Sequence, residues 1–225
     1  MDAADLTFDV LPPEELVPAA AREIARLLRA RLEAAPQASL ALSGGRATVA
    51  LCAALAQQTL PWERVVVFQV DERAVPPSHE DSNYRLIAEN LLAPLGDDAP
   101  HCERMVGEAE DLEAAARDYA ARLPARLDVV VLGLGPDGHT ASLFPGHPLL
   151  EEAHARVAAI FDSPKPPPRR LTLTLPVLRG AAHVVGLADG AHKQEAVRQL
   201  RAGVDLPAGR VRPAHWFLDS AAAVG

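Results

Sequence analysis

The sequence predicts a single-domain α/β fold, a Rossmann-like, doubly wound, mainly parallel sheet with helices on both faces. Two observations carry that expectation. Short apolar runs alternate along the chain with segments whose apolar residues recur at a helical period, the pattern of successive β-α units. No stretch of the 225 residues has the length or composition of a linker, and no internal repeat interrupts the alternation, so residues 1–225 read as one domain.

The elements follow in order. Apolar positions at Leu16, Ala20, Ile24, Leu27 and Leu28 predict a helix over 14–32. Ser39 to Leu42 is a short apolar run ended by Ser43-Gly44-Gly45, and a helical pattern resumes over 48–56, giving strand, glycine turn and helix. Val65 to Val70 is a second strand that stops at Asp71-Glu72-Arg73. A proline-rich loop (75–79) and a helix over 82–92 come next, then a helix over 111–123 that feeds the strand Val129 to Leu132. Residues 156–161 read as a strand, whereas 163–168 hold four prolines, which fix φ and lack the donor that regular structure needs. Arg170 to Thr174 alternates as a strand should, and Pro176 to Gly180 is a helical turn. A strand over 183–188, a helix over 192–200 and a strand over 215–218 complete the series.

Composition narrows the function classes. Hydrophobic residues make up 49% and charged residues 23%, with nine aromatics (two Trp, two Tyr, five Phe), so the core rests on Ala, Leu and Val. A formal charge of −8 argues against a general nucleic-acid or anionic-membrane surface, yet allows a local basic pocket for a small phosphate. Cys52 and Cys102 lie far apart without a C-x-x-C, so two buried free thiols are expected rather than a zinc ribbon or redox pair. No run approaches the ~20 apolar residues of a membrane span. Residues 1–5 are acidic where a signal peptide is basic, which makes the cytoplasm the expected compartment.

The segment from Asp128 to Gly146 carries the sharpest chemistry. A β-branched run ends in Gly133-Leu134-Gly135-Pro136-Asp137-Gly138, which spells the dinucleotide fingerprint G-x-G-x-x-G. Asp137 would place negative charge inside a pyrophosphate cradle, Pro136 removes a donor, and Pro145 stops any following helix early, so no dinucleotide cofactor is expected. An acid/base site fits better. His139 titrates near neutrality, and Asp137, two residues away and on the same side of an extended segment, can fix its tautomer. The bland alternative is a turn that Asp137 caps while His139 packs. Neither Ser43 nor Ser142 stands in G-x-S-x-G, and His139, His147 and His154 do not have metal-site spacing, so neither a serine nucleophile nor a metal is expected. Ser43-Gly44-Gly45-Arg46 can cradle a phosphate at a helix start or be a plain turn. Taken singly, Asp71-Glu72-Arg73, Arg170 and Lys193 read as solvated surface charge.

In order, Leu42-Ser43-Gly44-Gly45, Val70-Asp71-Glu72-Arg73 with Ser82-Asn83-Tyr84, the Gly133 to Gly146 run, Arg170 to Thr174, and Gly190-Ala191-His192-Lys193 resemble the 6-phosphogluconolactonase family. That family lies within the larger group that includes glucosamine-6-phosphate isomerase/deaminase. The resemblance spans about Ala38 to Phe217. It implies metal-independent and cofactor-free hydrolysis of a phosphorylated sugar lactone, 6-phospho-D-glucono-1,5-lactone, in the oxidative pentose phosphate pathway, by a monomer or small homo-oligomer. On it, His139 is the base, Asp137 orients it and Arg73 stabilises the carbonyl oxygen. Ser43, Gly44, Gly45, Arg46, Arg170 and Lys193 hold the phosphate, while Asp71 and Asn83 support the sugar site or position Arg73. Two departures stand out. Many relatives continue the glycine turn with Ser/Thr-Thr-Pro, where this chain has Arg46-Ala47-Thr48. The deaminases carry Asp-Glu-Tyr where Arg73 stands and an Asn-Glu-Pro run near 142–145. A deaminase-type enzyme and a non-catalytic sugar-phosphate sensor are the alternatives.

Overall fold

The computed structural model describes residues 6–224, so the acidic stretch at 1–5 lies outside the described residues. Its strands are β1 (Leu6–Leu11), β2 (Ala38–Leu42), β3 (Val65–Gln69), β4 (Asp71–Arg73), β5 (His101–Glu103), β6 (Val129–Gly133), β7 (Val157–Ile160), β8 (Arg170–Leu173), β9 (His183–Ala188) and β10 (Ala214–Asp219). Its α-helices are α1 (Pro13–Ala34), α2 (Arg46–Ala56), α3 (Asn83–Ile87), α4 (Ala93–Leu95), α5 (Leu112–Arg122), α6 (Leu175–Gly180), α7 (Gln194–Arg201) and α8 (Ser220–Ala223). A π-helical turn, Ala88–Leu92, joins α3 to α4.

Seven strands form one sheet in the order β1-β10-β9-β6-β2-β3-β5, with every neighbouring pair parallel. Parallel strands covered on both faces read as continuous apolar runs, and β6 shows why. Val129 and Val131 pack into a core with Leu16, Ile24 and Leu28 of α1 and Leu51 and Leu55 of α2. Val130 and Leu132 point the other way, into a second core with Tyr119 of α5 and Leu175 and Leu178 of α6. Helix α1 begins with Pro13 in its first turn and Glu14 and Glu15 beside the positive end of its dipole.

The strands expected at 156–161 and 170–174 form, but outside the main sheet. β7 and β8 pair antiparallel with each other, and β8 pairs antiparallel with β4, in a separate three-stranded sheet. Val70 is the junction: its N–H donates to Leu42 O in the main sheet (2.9 Å), and its carbonyl accepts from Leu173 N in the small one (2.8 Å). The edge strands β1 and β5 are absent from the sequence expectation. β1 reads half-buried or exposed at every position, and β5 is three residues long, so neither shows the apolar run of an interior strand.

The connection from β2 runs to β3 on one side, while that from β6 runs toward β9 on the other. β2 and β6 are nonetheless neighbours, with Leu42 opposite Val131. The chain order therefore reverses between them, which opens a crevice beyond their carboxyl ends. The loops that leave these ends are Ser43-Gly44-Gly45 and the segment after Gly133.

Candidate active site

The crevice is a cleft of about 180 Å³ lined by both loops, together with Asp71, Arg73, Arg170, Asp189 and Lys193. On the β6 side, no helix follows the glycines: residues 134–147 are turns and irregular chain. The dinucleotide fingerprint therefore lacks the helix whose N-terminus would hold a pyrophosphate.

A tight turn, rather than the extended segment expected from their spacing, joins Asp137 and His139. Gly138 N donates to Gly135 O (2.9 Å) and Gly135 N to His139 O (2.7 Å), with Gly138 at φ +82°. His139 Nδ1 then lies 2.5 Å from Asp137 Oδ1. With that proton directed at the carboxylate, Nε2 keeps its lone pair. The ring leans on Phe144, centroid to centroid 4.8 Å, and its side chain is 18% exposed. Burial pulls the imidazole below the ordinary histidine range, against the opposing pull of Asp137, so the ring is neutral near pH 7. Burial alone would raise Asp137, but the His139 hydrogen bond and Lys165 outweigh it and hold the carboxyl at about 2. Lys165 Nζ is 3.2 Å from Asp137 Oδ1 and 3.2 Å from His139 Nδ1.

The opposite wall is the start of α2. Gly45, at φ +110°, caps the helix with no side chain in the way, and the amides of Thr48 and Val49 turn back to its carbonyl. The amides of Arg46 and Ala47 precede the first intrahelical bonds and are available to an anion. Arg46 is exposed at this mouth. Lys193 faces it from the turn before α7. Burial draws its ammonium below the ordinary lysine range, Asp189 opposes that, and the nearby charges of Lys165 and Arg46 add to it. Arg46 and Lys193 therefore share this side of the cleft. Ser43 lines the cleft too, but its hydroxyl donates to Val131 O (2.9 Å) and latches β2 to β6.

The floor is polar and buried. Asp71 accepts from Ser142 Oγ (2.7 Å) and from Asn83 Nδ2 (3.2 Å). Asn83 packs so closely on Gly44 that a Cβ there would lie 1.8 Å from Asn83 Oδ1. Asn83 thus sits behind the cleft and sets the glycine turn and Asp71. Arg170 also lines the floor, yet four of its five N–H donors are committed: Nε to Pro167 O, Nη2 to the carbonyls of Lys165 and Pro166, and Nη1 to Ser142 Oγ. One N–H is left for a ligand. Arg73 donates through Nη1 to Asp81 O (2.6 Å), while its Nε is buried without a partner.

Behind Arg73 lies a group to which sequence reasoning assigned no role. The buried Glu72 carboxylate accepts five hydrogen bonds: from Gln69 Nε2, Ser82 Oγ and the backbone amides of Arg73, Asn83 and Tyr84. It fastens the 82–84 segment to β4. Ser142, rejected as a nucleophile, is fully buried as a bridge between Asp71 and Arg170. Among the described residues, no three His, Cys, Asp or Glu side chains converge as metal ligands. Cys52 and Cys102 are free thiols whose pKa burial pushes up to about 12.

Comparison with known proteins places this arrangement. The family described as glucosamine-6-phosphate isomerases/6-phosphogluconolactonase matches residues 12–220. The 6-phosphogluconolactonase of Rattus norvegicus is 40% identical over 232 residues, covering 94% of this chain and 90% of that protein. The crystal structure of a 6-phosphogluconolactonase from Shewanella baltica superposes with a TM-score of 0.86 at 28% identity, covering 96% of this chain and 98% of that one. The three-dimensional structure of Trypanosoma brucei 6-phosphogluconolactonase superposes with a TM-score of 0.81 at 31% identity, over 96% and 97% of the two chains. The cleft between β2 and β6 is thus built on a shared frame, and the chain belongs to the glucosamine-6-phosphate isomerase/6-phosphogluconolactonase family.

Proposed function

We propose that this protein hydrolyses 6-phospho-D-glucono-1,5-lactone to 6-phospho-D-gluconate, with His139 as general base. The observation that carries the proposal is the Asp137–His139 pair at one wall of a cleft whose other wall offers free amides and cations to a phosphate. The amides of Arg46 and Ala47, the Gly44-Gly45 turn, Arg46 and Lys193 hold the phosphate. The remaining Arg170 N–H supports that end, and Asp71 accepts from a sugar hydroxyl.

With the phosphate fixed, the lactone carbonyl lies toward His139 and Arg73. Nε2 takes a proton from water as the water oxygen attacks the carbonyl carbon. Charge develops on the carbonyl oxygen, where the Arg73 guanidinium, which lines the cleft, supplies a donor worth about 3 kcal/mol of barrier. Collapse breaks the bond from that carbon to the ring oxygen, which takes the proton back from the imidazolium. One water is consumed, the base returns neutral, and the new carboxylic acid ionises. The two free thiols fit a reducing compartment, which supports a cytoplasmic location.

The test is hydrolysis coupled to 6-phosphogluconate dehydrogenase and corrected for spontaneous opening. His139→Ala lowers kcat/KM by about 10²–10⁴-fold with an unchanged circular dichroism spectrum. Near-normal turnover in that variant, or ammonia release from glucosamine 6-phosphate by the unmodified protein, overturns the reading.

A further inference from the structure

We propose that Lys165 is a positioning residue of the base, its ammonium tying Asp137 to the imidazole edge and holding His139 in the neutral, Nδ1-protonated form. The proposal rests on His139 being the base. Lys165 stands in the proline-rich segment 163–168, which as sequence is only an interruption. In the structure its backbone is clamped at both polar atoms. Its carbonyl accepts from Arg170 Nη2 and Ser163 Oγ, both at 2.9 Å, and its N–H donates to Ser163 Oγ (3.3 Å). The clamp fixes the root of a long side chain whose tip meets the dyad.

An ammonium has only donors, and His139 Nδ1 already directs its proton to Asp137, so Lys165 is not hydrogen-bonded to the ring. It is a cation held 3.2 Å from the ring edge, compatible with that position because Asp137 Oδ1 is equally close. While His139 is neutral, the Asp137 and Lys165 charges cancel. Once His139 is protonated, two cations face each other across one carboxylate, which disfavours the imidazolium. Asp71 of β4 also acts on the ring and favours its protonation. Asp189 after β9 and the cations Arg170, Arg73, Lys193 and Arg46 line the same cleft. Lys165 is the cation among these in direct contact with the dyad. His139 lines the cleft, whereas Asp137 and Lys165 stand behind it, so Lys165 acts through the base and not on the phosphate. In the reaction it makes the imidazolium a stronger acid and speeds proton return to the ring oxygen.

The experiment compares Lys165→Met, Lys165→Gln and Lys165→Arg with the parent protein. The His139 ring is titrated by NMR, and the pH profile of kcat/KM is recorded on the phosphorylated lactone. Removing the charge raises the His139 midpoint by about one pH unit and moves the acid limb of the profile upward with it. Lys165→Arg stays near the parent value, and KM at pH 8 changes less than about 2-fold in all three. An unmoved midpoint in Lys165→Met and Lys165→Gln overturns the proposal. So does a several-fold rise in KM with a fixed limb, which would make Lys165 a phosphate ligand. A midpoint that moves while the limb does not overturns His139 as the base, and the proposal with it.

Discussion

At Gly135 a Cβ would lie 1.9 Å from His139 Nδ1 and 2.6 Å from Asp137 Oδ1, so the dyad occupies the space that any other side chain would take. That packing makes the ring half-buried, and burial sets its titration. With His139 as the proposed base, which works only when deprotonated, kcat/KM falls as pH drops through its pKa. Burial lowers that pKa, and Asp137, held at about 2, stays ionised throughout. The expected acid limb of kcat/KM therefore lies below the ~6.5 of an ordinary histidine, and a limb at or above that value would contradict the buried, neutral ring. The Asp-Gly-His spacing made this pair legible in the sequence. Lys165 was not legible, because its contact with His139 spans 26 residues and exists only once Arg170 has clamped the loop. Arg170 shows the same limit from the other side. The family resemblance implied a phosphate ligand there, and only the fold reveals how few of its donors remain.

The elements matter through how they are fastened to one another, and Glu72 is the clearest case. Its carboxylate gathers five donors from β3, β4 and the start of α3 without touching a cation. Glu72→Gln would turn one acceptor oxygen into a donor facing other donors, leaving buried groups unpaired. The expected loss is about 2–4 kcal/mol of unfolding free energy by urea titration. Because the same bonds set Asn83, Asp71 and Arg73, a rise in KM for the lactone should accompany it. Unaltered stability would mean that the segment is held by packing alone. In the sequence, interior strands such as β2, β3 and β6 were legible because burial on both faces demands unbroken apolar runs. β1 and β5 were not, since an edge strand is half-solvated. The small sheet was legible as strands but not as a sheet: nothing local to 157–160 or 170–173 says that β4 leaves the main sheet after Val70 to meet them.

Across the whole molecule, topology places the cleft and charge tunes it. The reversal between β2 and β6 brings a helix start and the His139 turn to one crevice, which the alternation of strands and helices predicts in kind but not in position. The chain carries −8 overall, yet Arg46, Lys193, Arg73 and Arg170 all line this cleft. A phosphorylated substrate is thus repelled by the molecule at long range and attracted at short range, and the two effects respond differently to salt. At an ionic strength of about 0.1 M the Debye length is ~10 Å, so the distant surface is already screened while cations at the exposed mouth still act. Raising the salt further weakens mainly that short-range attraction. KM for the phosphorylated lactone should then rise several-fold between roughly 0.05 and 0.5 M salt with kcat nearly constant, because binding and not proton transfer is affected. Unphosphorylated gluconolactone should show little dependence, and Arg46→Ala combined with Lys193→Ala should flatten the slope for the phosphorylated substrate. Equal slopes for the two lactones would remove the α2 mouth as the phosphate site and leave the anion to be held deeper, by the buried Arg170 N–H.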